Sequence, residues 1–158
     1  MLYLIQSLIP RPVHRSALRV AHTVRHRWRV WRKVRLEGVS IIVRNTAGDI
    51  LLVRHAYGPP VWTLPGGGMK RGEDPVATAP RELREELGTG LVDAVYLGAV
   101  GEIISASPHT AHVVTGMLEG PATADRREIA EAGFFAPGQF PSQLGTLVAA
   151  RLALLEQS

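Results

Sequence analysis

Residues 61–88 leave this chain few ways to fold. A short apolar stretch, Val61 to Leu64, runs into Pro65-Gly66-Gly67-Gly68, and a polar link then leads to Asp74-Pro75. Asp74 is a good helix N-cap, and Pro75 suits the first helical position, where its missing N–H costs nothing. The helix is expected to run to Leu87 and stop at Gly88. Val76, Ala79, Leu83 and Leu87 recur at three- and four-residue spacing, an apolar stripe that must be buried against a sheet. Glu82, Glu85 and Glu86, at i, i+3 and i+4, share another face. Three like charges there repel, and a hard divalent cation, which prefers oxygen ligands, would relieve them. The glycines let backbone come close to such a site. Arg81, four residues before Glu85, can hold a carboxylate with its fork of donors. On charge alone, a solvated face of ion pairs remains the commoner explanation.

The offsets reverse that balance. Gly67, Glu73, Arg81, Glu82, Leu83, Glu85, Glu86 and Gly88 stand at fixed separations. Together they fill eight of nine defined positions of a known motif, and the segment resembles the Nudix box. That box reads Gly, five residues, Glu, seven residues, Arg-Glu-aliphatic-any-Glu-Glu-any-Gly-aliphatic. Trp62-Thr63-Leu64-Pro65-Gly66-Gly67-Gly68 also looks like the family's strand-to-loop entry, and the element order resembles the family more loosely over residues 37–158.

The resemblance implies roles for these positions. Glu82, Glu85 and Glu86 match the family's metal-binding carboxylates, and the Gly67 carbonyl matches a common backbone ligand. Arg81 matches the arginine that orients a catalytic glutamate, and Glu73 the acid that braces loop and helix. The implied cofactor is Mg²⁺, with Mn²⁺ as the alternative. The implied reaction is attack of water on phosphorus in a nucleoside diphosphate linked to another moiety: an NDP-sugar, an ADP-ribose-like molecule or a nucleoside triphosphate. Divalent ions can lower the water's pKa, clamp phosphate oxygens and neutralise the leaving group. The general base varies within the family. Glu82 is one candidate and Glu128, ahead of Phe134-Phe135, another; Glu102 and Glu131 are weaker. The competing readings are a non-catalytic Nudix-fold module that binds a nucleotide for regulation, and a Nudix-fold isomerase. Both usually show an eroded box, whereas these glutamates are intact. Two departures stand out. Thr89 replaces the final aliphatic residue, and Pro80 lies inside the helix, where proline costs roughly 3 kcal/mol in an ordinary interior. A local irregularity at 76–80 is therefore expected, with Glu82, Glu85 and Glu86 still in position.

Elsewhere, Val39–Val43 reads as a buried strand, residues 45–49 as a turn, and Ile50–Val53 as its antiparallel partner. Further strands are expected at Val92–Val100, His112–Leu118 and Ala132–Phe135. A final helix is expected from Ser142 to Glu156. Strands interleaved with two helices predict an α/β (α+β) sandwich; the resemblance sharpens this to a Nudix fold, a mixed sheet flanked by helices. Arg54, His55, Tyr57, Trp62, His109 and Phe135 are candidates to touch substrate, although aromatics at strand ends are more often core. His109 and His112, at i and i+3 near a strand start, offer no convergent metal geometry. No signature that relatives use to mark a particular substrate is visible.

Residues 1–36 differ from the rest. They hold nine Arg/Lys and no Asp or Glu, so the remainder sets nine basic residues against 14 acidic ones, a net of −5, although the whole chain is +4. Two units follow: a basic amphipathic segment at 1–36, with a helix expected over 13–33 and Trp28 and Trp31 on its apolar face, and a domain at 37–158. The arm has three readings. It docks on the domain or on a second subunit of a homodimer, it lies on an anionic membrane surface, or it binds nucleic acid by counterion release. Docking is slightly favoured. Leu2 to Ile9 is too short to span a bilayer and lacks the preceding positive residues of a secretory signal. A cytoplasmic protein is expected, peripheral at a membrane if the arm lies there. The absence of cysteine excludes disulfides and thiolate ligands, leaving oxygen or histidine to hold any metal.

Overall fold

Nearly continuous apolar strands bury themselves on both faces and so demand cover on both sides. The computed structural model describes residues 36–104, 107–124 and 128–157. The basic segment over 1–35, with its expected helix, lies outside these residues. The elements are β1 (Leu36–Val43), β2 (Ile50–His55), β3 (Trp62–Thr63), β4 (Gly66–Gly68), α1 (Pro75–Leu87), β5 (Leu91–Ile104), β6 (Ser107–Leu118), β7 (Ile129–Phe135), α2 (Val148–Leu152) and a 3₁₀ turn at Leu155–Gln157. They form a mixed sheet of order β4-β1-β6-β5 and an antiparallel sheet of order β3-β2-β7. Within the first, β1 and β6 run parallel.

β1 and β2 are not the hairpin partners expected. They meet only at the bridge between Arg44 and Ile50. Ile41, Ile42, Val43, Leu52 and Val53 are all fully buried, and each strand sits at the centre of its own sheet with partners on both edges. The two-residue strand period divides their side chains between two cores. Val39, Ile41, Val43, Leu51 and Val53 join Ala79, Leu83 and Leu87 of α1. Ile42, Ile50 and Leu52 join Leu64, Val113 and Val148, the last from α2. The result is a sandwich with α1 and α2 on opposite faces, the helix-flanked mixed sheet that the sequence implied.

α1 keeps its predicted bounds. The Asp74 side chain accepts from the Ala77 N–H at 2.8 Å, and Gly88 closes the helix at φ 68°, its N–H donating to the Arg84 carbonyl. The helix continues through Pro80, so the irregularity expected at 76–80 does not interrupt it. The glycine run ends β3 as expected, but it pairs again as β4. Gly67 lies opposite Val39 and Gly66 opposite Ser40, and the Ile41 N–H donates to the Pro65 carbonyl at 2.9 Å.

The expected final helix shrinks to five residues. The Trp62 N–H donates to the Gln143 carbonyl and the Gly145 N–H to the Trp62 carbonyl, both at 2.8 Å. Residues 143–145 thus spend on β3 the backbone groups that a helix would need. β5 and β6 extend further than expected, into a long hairpin. β5 forms the outer edge and is broken twice, with register shifts between Val92 and Val95 and between Tyr96 and Gly98. Asp93 sits at φ 52° and Gly98 at φ 144°. Among the described residues, no helix is long and apolar enough to cross a membrane.

Candidate active site

The site is built where α1 faces β4. Val39 points into the core beneath α1, and Gly67, its cross-strand partner, presents its α-carbon to the same side. A β-carbon there would lie 2.0 Å from Glu82 Oε2, so glycine is what admits the carboxylate. One residue earlier, the Gly66 N–H donates to Glu86 Oε2 at 3.1 Å. Gly66 stands at φ 145°, and a β-carbon on it would meet the Val39 carbonyl at 2.1 Å. Two carboxylates of one helix thus close onto adjacent residues of a side-chain-free strand. Both are buried, Glu82 at 9% and Glu86 at 6% exposure.

Arg81 is the cation among these acids. Its Nη1 lies 2.7 Å from Glu82 Oε1 and 3.2 Å from Glu85 Oε1, and its Nη2 lies 3.3 Å from Glu73 Oε2. Glu73 also accepts the Lys70 N–H at 2.8 Å, tying the loop after β4 to the helix. That backbone bond, with Arg81 adding to it, lowers the Glu73 pKa. Burial raises that of Glu82; Arg81 opposes the rise and Glu85 adds to it. Among the described residues no ion pair reaches Glu86. Burial pushes its pKa up to about 8 against the pull of the Gly66 N–H, with the charges of Glu82, Glu128 and Glu85 adding to the rise.

Gly67, Glu73, Arg81, Glu82 and Glu86 are therefore brought together. Glu128, directly before β7, joins them electrostatically; its carbonyl accepts the Ala56 N–H at 2.8 Å. Glu85 is exposed and turned to Arg81. Among the described residues, no three His, Asp or Glu side chains converge on one point as a ready metal cluster. Arg81 supplies much of the compensation that the sequence pattern assigned to a cation.

The weaker candidates are engaged elsewhere. Glu131 pairs with Arg54 between β7 and β2. The Glu102 side chain is 2% exposed and accepts two bonds from Arg151, 2.9 Å from Nε and 2.7 Å from Nη2. Trp62 packs edge-on to Phe135 at 5.1 Å against the second core, as aromatics at strand ends more often do. Thr89 is buried and costs little, because its hydroxyl donates to the Gly120 carbonyl and accepts the Gly120 N–H, both at 3.1 Å.

A cavity of about 400 Å³ opens on the other face of β1, lined among others by Gly38, Ser40, His55, Gly67, His109 and Arg151. The β4 backbone is the wall it shares with the glutamates. Ser40 and Arg151 went unnoticed in the sequence. Arg151 is one polar position in an over-long predicted helix, and its carboxylate partner lies 49 residues away.

With this geometry in hand, the chain can be set beside known proteins. Residues 34–157 match the NUDIX domain family. An RNA pyrophosphohydrolase of Rhodospirillum rubrum is 42% identical over 62 residues, 39% of this chain and 36% of that protein. A putative 8-oxo-dGTP diphosphatase of Bacillus subtilis is 32% identical over 106 residues, 66% of this chain and 69% of that protein. A crystal structure of a MutT NUDIX hydrolase from Burkholderia pseudomallei superposes with a TM-score of 0.70 at 26% identity, covering 77% of this chain and 98% of that one. The matches to the first two curated relatives span 36% and 33% of their lengths, about a third of each.

Proposed function

The chain belongs to the NUDIX family, and from that premise we propose that it is a Mg²⁺-dependent pyrophosphohydrolase that splits a diphosphate bond in a nucleoside diphosphate linked to another group. The observation that carries this is the pair Glu82 and Glu86. Two carboxylates are buried side by side against the β4 backbone, both with raised pKa values. A fold that holds two acids in this way favours a positive charge between them and the strand.

The donor set fits a hard cation, Mg²⁺ or alternatively Mn²⁺. Glu82, Glu86, Glu85 and the Gly67 carbonyl offer oxygen alone. Mg²⁺ commonly takes one or two carboxylates and leaves its other positions to water and substrate phosphates, so an all-protein cage is not required. When bound, the ion lowers the pKa of the attacking water and neutralises charge on the phosphates. The chain's own groups do the rest. Arg81 orients Glu82 and Glu85, and Glu73 fixes Arg81 and the loop. The side-chain-free β4 lets phosphate oxygens approach backbone. Glu128 takes the proton from water as general base, with Glu82 the alternative.

The relatives' names, RNA pyrophosphohydrolase and 8-oxo-dGTP diphosphatase, favour a nucleotide phosphate chain over a sugar conjugate as the first substrate to try. Glu85, exposed and turned to Arg81 rather than to Glu82 and Glu86, favours the second reading, a nucleotide-binding module without turnover. A panel of NTPs, NDP-sugars, ADP-ribose and dinucleotides with Mg²⁺, comparing wild type with Glu86→Gln, decides between them. Release of phosphate or nucleotide by the wild type, lost in the variant, is expected. Silence with every substrate, or full activity in Glu86→Gln, would overturn the proposal. For the basic arm we propose docking on the acidic domain or on a second subunit. Binding to anionic vesicles that disappears when residues 1–33 are removed would point to a membrane instead.

A further inference from the structure

Part of one sheet face is left without a helix over it. α1 packs on the first part of β5, at Leu91 and Ala94, and the α2 side takes Leu97 and Val100. From Ala99 onward the two-residue period turns Ala99, Gly101 and Ile103 to the α1 side, and all three are exposed. Ile103 is 71% and Tyr96 45% exposed, and neither belongs to a core. The Tyr96 hydroxyl meets His112 Nδ1 at 3.1 Å; His112 is the cross-strand partner of Ala99, so the phenol lies on this same face. A β-carbon added at Gly101 would meet nothing within 4 Å. Tyr96 and Ile103 thus form the two ends of a shallow groove whose floor is Ala99 and Gly101.

The chain carries an occupant of matching chemistry close by. β1 begins at Leu36, opposite His109, and His109 stands opposite Glu102, one residue before Ile103. Leu36 is therefore two strand spacings, about 10 Å, from that end of the groove. Trp31 is five residues before Leu36 and at most roughly 18 Å from it along the chain, so its ring can reach Ile103. As a helix, the apolar stripe Ala21, Val24, Trp28 and Trp31 is about 15 Å long, which fits within the roughly 20 Å of strand from Tyr96 to Ile103. Charge agrees with this placement. Arg29, Arg32 and Lys33 accompany the tryptophans, and the rest of the chain is net −5. Glu37, two residues before the α1-facing Val39, is exposed on the same side. Attachment in one chain gives the segment a local concentration in the mM range, which a second copy must match from solution.

We propose that this groove is the docking site of the basic segment of the same chain, with Trp31 on Ile103, Trp28 over Ala99 and Gly101, and Val24 and Ala21 towards Tyr96. The inference rests on the docking reading of that segment and adds to it the face, the direction and the choice of its own domain over a second subunit. β5 runs antiparallel to β6 and β6 parallel to β1, so a segment that descends from Tyr96 to Ile103 arrives at the start of β1.

Two measurements on the full chain test this. The chain has no cysteine, so an introduced pair reports on one contact. Trp31→Cys with Ile103→Cys is treated with a short bismaleimide, and Trp31→Cys with Val95→Cys serves as reference, because Val95 is exposed on the same strand but paired with Thr115 at its other end. The first pair is expected to link within one chain at least about tenfold faster than the second. The other measurement is the rate at which trypsin removes the arginine-rich segment. Ile103→Asp should raise that rate by about tenfold, the effect of losing one apolar contact of this size, and leave the thermal unfolding of the domain unchanged. Equal linking rates for the two pairs, or linkage only between chains, overturns the inference. Protection from trypsin that is the same in wild type and Ile103→Asp also overturns this face as the site, while the broader docking reading survives. Cleavage in wild type as fast as that of a free peptide of residues 1–35 overturns both.

Discussion

Gly67→Ala isolates the contact on which the site depends. Gly67 is not among the glycines at positive φ, so alanine brings no conformational strain, only a methyl group. That methyl would lie 2.0 Å from Glu82 Oε2, 2.5 Å from Cδ and 3.0 Å from Oε1. Oε2 must retreat by about 1.4 Å to reach an ordinary contact of 3.4 Å. Glu82 is buried and held by Arg81 at 2.7 Å, so the retreat breaks that bond or tilts the helix. Crowding of this kind costs about 1–3 kcal/mol, and a displacement on the order of 1 Å at a reacting group costs roughly 10²-fold in rate. Both effects are read from kcat/KM by phosphate release and from urea unfolding. Gly68→Ala is the control, since nothing lies within 4 Å of its added methyl, and it should match wild type. The cycle closes with Glu82→Ala, in whose background Gly67→Ala should lose most of its stability cost. Wild-type activity in Gly67→Ala, or an equal stability cost in both backgrounds, would refute the argument.

Gly66→Ala is expected to be far worse, because it places a side chain at φ 145° and 2.1 Å from a backbone oxygen; little soluble folded protein should be recovered on expression. With divalent ions chelated, stability should fall as pH rises. The folded chain holds a proton on Glu86 up to about pH 8 that the unfolded chain releases near 4.5, so this contribution is complete below 4.5 and lost above 8. Urea midpoints at pH 5 and 8.5 should therefore diverge in wild type and converge in Glu86→Gln; a midpoint that rises with pH would contradict the assignment. Trp62→Leu should lower stability by about 1–3 kcal/mol through lost packing on Phe135 while leaving KM unchanged, and a tenfold rise in KM would return Trp62 to the substrate. Leu83→Ala, emptying a fully buried position under α1, should cost about 2–5 kcal/mol by the same melts.

What could be read from the sequence was what local chemistry decides. Asp74, Pro75 and Gly88 fix both ends of α1 through bonds that span three or four residues, and the box offsets place Glu73, Arg81 and Glu82 together. Pairing over distance was not legible. β1 and β2 are apolar on both faces, so no alternation of residue type says which strand lies beside which, and their proximity in the chain suggested a hairpin that does not form. The leucines of 144–155 carry a helical period, but that period says nothing of the Trp62 backbone, which claims residues 143–145 first. Glu102 looks like any surface acid until the fold sets Arg151 beside it.

The broken margin of β5 has a consequence outside chemistry. A straight, unpaired edge of this length, with Val95 54% and Tyr96 45% exposed, would be a template on which a second chain could extend the sheet. The two slips in register and the left-handed turn at Asp93 bend that edge away from the flat geometry a docking strand needs. Deleting Asp93 would remove the first of the two slips, between Val92 and Val95. That border is then expected to pair with its like on another chain, which light scattering that rises with protein concentration would show.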